Sequence, residues 1–186
     1  MKKFTTFLLF VVIIVGVYAF MMYNRLVSAS ENVDAQWAQV EGQYQRRFDL
    51  IPNLVESVKG IMEQEQEVFG ALAEARTRYS GASGVSERAE AATQVESAFG
   101  RLLVVMENYP QLKSSENVQT LMSQLEGTEN RISVERKRYN DTARDYNVMI
   151  KRVPGAWFAS MFGYDDKNYF EAAEGADKAP QVDLTN

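Results

Sequence analysis

From Val33 onward, apolar residues recur in steps of three and four: Val33, Trp37, Val40, Tyr44, Phe48, Ile51, Val55, Val58, Met62, Phe69 and Leu72. Residues so spaced share one helical face, and a stripe sustained this long, with one four-four step from Val40 to Phe48, has the seam of a coiled coil. It ends in a small, flexible loop, Tyr79-Ser80-Gly81-Ala82-Ser83-Gly84. Ser86 followed by Glu87 reads as an N-cap with an acid in the first turn. Val85, Ala92, Val95, Phe99, Leu102 and Met106 then make the buried face of a second helix, which stops at Asn108-Tyr109-Pro110. Ser114 can cap a third helix, whose stripe runs through Val118, Leu121, Leu125, Ile132, Tyr139, Ala143, Tyr146, Ile150 and Val153 to Pro154-Gly155. No stretch alternates as a strand does. The pattern predicts an all-α fold, an antiparallel up-and-down bundle of long helices.

Pro52 interrupts the first stripe chemically without shifting its phase. It has no N–H to donate, and its ring crowds the carbonyl four residues earlier. No glycine or loop composition surrounds it, so a kinked but continuous helix is favoured over a hairpin, with Asp49 available to satisfy the Ile51 amide should the helix break and restart. Taken from Ser28 to Arg78, helix one would be about 75 Å long, against about 35 Å for helix two. On that reckoning neither later helix obviously shields Val33, Trp37, Val40 and Tyr44. A bare apolar row containing a tryptophan is a candidate interaction stripe, expected to meet the C-terminal aromatic segment, another copy or a partner, with self-association favoured.

Ahead of the stripe lies an uncharged run, FTTFLLFVVIIVGVYAFMM, from Phe4 to Met22. About 20 apolar residues are what a helix needs to cross a hydrocarbon core about 30 Å thick. The run predicts a single transmembrane helix through the lipid bilayer. Lys2 and Lys3 precede it, and only Arg25 follows closely, so the positive-inside bias puts the N-terminus in the cytoplasm and the bulk of the chain outside it. A cleaved signal peptide is the alternative, with Val27-Ser28-Ala29 as its site, but the apolar run is longer than a signal core. The chain therefore divides into an anchor over residues 1–25, a helical bundle over 26–155, and an aromatic segment with a tail over 156–186.

Composition removes most chemistry. The 186 residues include no histidine and no cysteine. A Ser-His-Asp or Cys-His nucleophile system, a zinc site of the usual ligands, a His- or Cys-ligated haem and a disulfide are all excluded, as is the Glu-x-x-His di-metal site of ferritin-like bundles. The reading is of a non-enzymatic protein with no cofactor and no metal. All 25 acidic residues lie beyond Arg25 but only 17 of the 20 basic ones do, leaving that part eight charges negative. Nucleic acid and anionic membrane surfaces are poor partners for it. The basic run Glu135–Tyr139, ERKRY, alternates with acids along its helix and reads as an ion-paired, solvated face.

Several motifs in order resemble the LemA family: RRFDLIPNLV from Arg46 to Val55, EARTRY from Glu74 to Tyr79, ENYPQLK from Glu107 to Lys113, TENRI from Thr128 to Ile132, and Tyr146-Asn147. The resemblance covers nearly the whole chain. It implies an N-terminally anchored helical bundle of the bacterial envelope, from a family whose members are often encoded near membrane metalloproteases or TPM-domain envelope proteins. The matching polar residues are Arg46, Arg47, Asp49, Asn53, Arg76, Glu107, Glu129, Asn130, Arg131, Asn140 and Asn147. Two roles are open to them. They line a pocket for a peptide or small ligand, or they pair with one another and with backbone disturbed by Pro52 and Pro110; pairing is favoured, because partly buried charges must be matched. Tyr139 and Tyr146 read as core tyrosines whose hydroxyls reach polar partners. Ala156–Tyr164, AWFASMFGY, either caps the bundle end or touches a partner or the membrane interface, and from Asp165 onward the composition reads as loosely ordered. The favoured function is a membrane-anchored scaffold or adaptor that presents helical surfaces to itself or to another envelope protein. The alternative is a ligand- or peptide-binding sensor or regulator, with a membrane protease among the things it would regulate.

Overall fold

An uncharged apolar run followed by long stripes of three-and-four spacing leaves the chain few options other than helices. In the computed structural model, which describes residues 2–170, they are α1 (Lys2–Lys59), α2 (Gln66–Gly81), α3 (Gly84–Met106), α4 (Pro110–Lys113), α5 (Glu116–Lys151) and α6 (Gly155–Phe162). There is no strand among the described residues. The fold is all-α, with the apolar N-terminal helix leading into antiparallel packing of long helices. The chain forms two compact units, one built from the residues up to Arg47 together with Leu125–Tyr169, the other from Phe48–Gln124. The predicted tail from residue 171 onward lies outside the described residues.

In the first unit α1 and α5 run antiparallel. Trp37 meets Tyr139 edge-on at 5.6 Å between ring centroids, and further along α1 Arg47 reaches Glu129, ten residues nearer the start of α5. Leu26, Val33, Val40 and Tyr44 are buried on the α1 side, and Leu125, Ile132, Tyr139, Ala143, Tyr146 and Ile150 on the α5 side. Each fully buried aliphatic side chain here is worth about 1.5–3 kcal/mol. The membrane-proximal stripe is therefore covered within the chain, contrary to the expectation from helix lengths. Val33, Val40 and Tyr44 are fully buried and Trp37 half-buried. The 36 residues of α5 rise about 54 Å and return along α1.

That misreading has a local cause in the second unit. Helix one ends at Lys59 and not at Arg78. Gly60 follows, the Ile61 and Met62 amides both donate to the Val58 carbonyl, and Glu65 N–H donates to the Met62 carbonyl, turning the chain before α2. Met62 is fully buried in the turn, so the apolar phase runs on through a break in the backbone. Pro52, by contrast, lies inside α1, which continues through it. Beyond it the buried positions are Leu54 and Val58, with Val55 only half-buried.

α2 and α3 form a hairpin through Ala82-Ser83, with Gly84 at φ +77°, a conformation that residues with a Cβ rarely adopt. The cap of α3 is Ser83, three residues before the predicted Ser86. The Glu87 carboxylate accepts from the Ser83 N–H at 2.7 Å and from its hydroxyl at 3.1 Å. Those bonds hold the Glu87 carboxyl below its ordinary pKa. α5 likewise starts one residue later than expected, with Ser115 Oγ accepting from Val118 N–H at 3.5 Å. The unit's core is Phe48, Ile51, Leu54, Val58, Met62, Leu72, Tyr79, Val95, Phe99, Leu102, Leu112, Val118 and Leu121. Phe48 packs edge-on against Tyr79 at 4.5 Å. Asn117 Nδ2 donates to Ser57 Oγ at 2.9 Å, setting the start of α5 beside the end of α1.

Candidate functional site

The polar residues of the first unit fall into two groups. Arg47 is carried to the inner face of α1 by the same spacing that buries Tyr44, and its side chain is almost wholly buried. A guanidinium there must be matched. Glu129 of α5, half exposed, supplies the carboxylate through a direct ion pair. One turn back on α1, the Tyr44 hydroxyl accepts from both Nε and Nη2 of Arg136, the former at 2.7 Å, and the guanidinium carbon lies 5.4 Å from the Tyr44 ring centroid. Gln36 Nε2 donates to Glu135 at 2.7 Å, and Arg138 pairs with the same carboxylate at 2.7 Å. Within the basic run, Arg138 is ion-paired with Glu135 as expected, whereas Arg136 is half-buried and held by the Tyr44 hydroxyl.

The second group fastens the segment after α6. Tyr139 Oη donates to the Asn168 carbonyl at 2.8 Å, and Tyr146 Oη to the Asp165 carbonyl at 3.0 Å. Asn147 is buried and pairs its amide with both main-chain groups of Lys167, donating from Nδ2 to the carbonyl and accepting at Oδ1 from the N–H, each at 2.8 Å. This imitates one rung of a β-ladder. Lys167 Nζ reaches Asp34 of α1 at 2.7 Å, and Lys151 meets Asp166 at 2.6 Å. Burial, then the nearby Asp34 charge, pushes the Tyr139 hydroxyl up to about 12. Tyr146 is raised too, first by burial. Residues 165–168, expected to be loosely ordered on composition, are held at four main-chain groups. The two tyrosines do have the polar partners expected of them.

The predicted polar residues are divided between the two units, and within the first unit they serve separate partners. Arg47 and Glu129 come together, and Asn147 serves the strap. Asn140 is half-buried and Asn130 and Arg131 lie exposed on α5. In the second unit, Asp49 and Asn53 are exposed on α1, Arg76 is half-buried on α2, and Glu107 is exposed at the end of α3. Asp49 and Asn140 each engage in an interaction of their own. Among the described residues no three carboxylates gather to hold a metal ion. The sequence reading missed Asp34, Gln36, Arg136 and Lys167. Tyr44 was counted only as apolar, although a tyrosine in a buried stripe has a hydroxyl that needs a partner.

Residues 36–184 match the model of the LemA family. Two relatives, magnetosome proteins MamQ 1 and MamQ 2 of Paramagnetospirillum magneticum, are each 27% identical over 200 residues, covering 91% of this chain and 74% of the relative. Protein LemA of Metamycoplasma hominis is 22% identical over 148 residues, covering 77% of this chain and 68% of the relative. Ahead of the matched region, α1 carries a stretch long and apolar enough to cross a membrane, with none of it buried within the chain. With motifs, anchor and helical pairing all in their places, this membrane-associated chain belongs to the LemA family.

Proposed function

We propose that the protein is a non-enzymatic scaffold or adaptor of the bacterial cell envelope, held by one membrane span and presenting helical surfaces to an envelope partner or to a second copy. One observation carries this reading: the buried polar motif residues, Arg47, Thr128 and Asn147, are engaged by Glu129, by the Leu125 carbonyl and by the Lys167 main chain, which leaves them to hold the fold together. A sensor would need such side chains turned into a pocket. The absence of histidine and cysteine from the sequence fits a role without catalysis, and the MamQ relatives, named as magnetosome proteins, fit service at a membrane. The N-terminus is cytoplasmic and the helical units extracytoplasmic, as the flanking Lys2 and Lys3 favour.

The test is photo-crosslinking in intact cells from the exposed positions Arg46, Asn130 and Arg131. The scaffold reading expects a discrete product with a second copy or with one recurring envelope protein. Monomer alone from every position would remove it. A cysteine at exposed Ser83 should react with an impermeant thiol reagent in whole cells, after outer-membrane permeabilisation if there is one; labelling only after lysis reverses the orientation.

A further inference from the structure

α6 is apolar on both sides. Gly155 and Ala159 are buried and Phe158 is half-buried, while Trp157 is 67% and Met161 72% exposed on the other face, next to Val153 at 65%. Its eight residues, GAWFASMF, carry no charge. A helix apolar all round is stable only inside a protein or in lipid. Nothing within the first unit covers the outward face.

The height of α6 along α1 identifies what does. Phe158 packs on Tyr18 at 6.3 Å between centroids, and Phe162 meets Tyr23 edge-on at 4.9 Å. The start of α6 is pressed close: a Cβ on Gly155 would lie 2.2 Å from the Met149 carbonyl oxygen and 3.6 Å from Met22 Cε. Tyr18 sits four residues, or about 6 Å, inside the Met22 end of the apolar run, and Tyr23 just beyond that end. Amphipathic helices that lie in the plane of a membrane bury their apolar face about 5–10 Å into the boundary of headgroups and acyl chains. Tryptophan favours that depth. Charges bracket the segment, Lys151 and Arg152 before it and Asp165 and Asp166 after it, so its two ends return to water.

We propose that α6 is a second membrane contact, an interfacial helix seated in the lipid surface beside the span, with Val153, Trp157 and Met161 at the headgroup–acyl boundary. It goes beyond the scaffold reading and does not depend on it.

The chain has two tryptophans, so Trp37→Phe leaves Trp157 as the only reporter. In the full chain reconstituted into phosphatidylcholine vesicles, its fluorescence should be quenched several-fold more by lipid brominated near the glycerol end than near the methyl end, and shielded from aqueous iodide. Free access of iodide with no quenching by either lipid overturns the proposal. So does shielding that rises with protein-to-lipid ratio without bromine quenching, because a second copy would then be the cover. If Trp37→Phe does not fold, a nitroxide on Met161→Cys, in a chain otherwise free of cysteine, gives the same answer. Relaxation by oxygen but not by a water-soluble nickel chelate is expected, and the reverse sinks the idea.

Discussion

The Asn147 side chain treats Lys167 as a neighbouring strand would, giving one hydrogen bond to its carbonyl and taking one from its N–H, both at 2.8 Å. A carboxamide is the group that supplies a donor and an acceptor side by side in this way. Asn147→Leu should cost about 1–3 kcal/mol, the range for two net hydrogen bonds, and should speed tryptic cleavage at Lys167. Asn147→Asp keeps an acceptor but sets a buried carboxylate oxygen against the Lys167 carbonyl, so it should cost at least as much as leucine. Equal urea midpoints for all three proteins would show that the strap contributes nothing.

The Arg47–Glu129 pair predicts an asymmetry. Glu129→Ala takes a carboxylate partner from a buried cation, whereas Arg47→Met removes the charge and keeps much of the volume. Breaking a fully buried pair costs about 3–5 kcal/mol; with Glu129 half exposed, about 1–3 kcal/mol is expected for Glu129→Ala, and less for Arg47→Met. Chemical denaturation of the two variants, with Arg47→Met/Glu129→Ala to close the cycle, checks the order.

Pro52 and Phe99 should move stability in opposite directions. Pro52→Ala restores an N–H facing the Phe48 carbonyl inside α1, where interior proline costs about 3 kcal/mol against alanine, so Tm should hold or rise. Phe99 is buried, and Phe99→Ala should cost about 3–5 kcal/mol. A Tm lowered more by Pro52→Ala than by Phe99→Ala would show that the proline ring supports packing that the backbone bond cannot replace.

Alkaline pH should release the strap. Tyr139 titrates at about 12 in the folded chain against an ordinary 10.0, so the folded state holds this proton more tightly than the unfolded one. The associated stability is complete below pH 10.0, declines as the unfolded hydroxyl ionises, and is gone above about 12. Ionised, the hydroxyl can no longer donate to the Asn168 carbonyl. Tyrosinate absorbance followed against pH should show a late-titrating component that shrinks in Tyr139→Phe. Glu87 works in the opposite sense: its lowered pKa adds stability above the ordinary 4.5 that is lost on acidification, and Glu87→Gln should flatten that acid limb.

The helices were legible because burial imposes a period, and Val33, Val40, Tyr44, Ile132, Tyr139 and Tyr146 all keep it. The break after Lys59 was not, because Met62 stays in phase with Val58 while the backbone turns. Missing it lengthened helix one and left the Val33–Tyr44 stripe bare on paper. Cap positions slipped by one to three residues where several serines lie together, Ser83 for Ser86 and Ser115 for Ser114. The polar cluster was visible only as residue types. Side-chain pattern indicates that Arg47 needs a partner, but the choice of Glu129 follows from the antiparallel register of α1 and α5. The strap was hidden for a different reason: Asp165 to Asn168 is held through its main chain, and main-chain carbonyls leave no trace in composition.

Lys167 and Asp34 are 133 positions apart in the chain and 2.7 Å apart in the fold. During synthesis α1 is made before α5. The stretch Phe48–Gln124 of the second unit precedes Leu125–Tyr169 in the chain and is made before it. The buried face of α1 from Leu26 to Tyr44 therefore has no cover from α5 until that helix is translated, and the partner of Asp34 at Lys167 comes later still. In that interval an apolar face lies uncovered, the condition in which a growing chain is prone to misassembly.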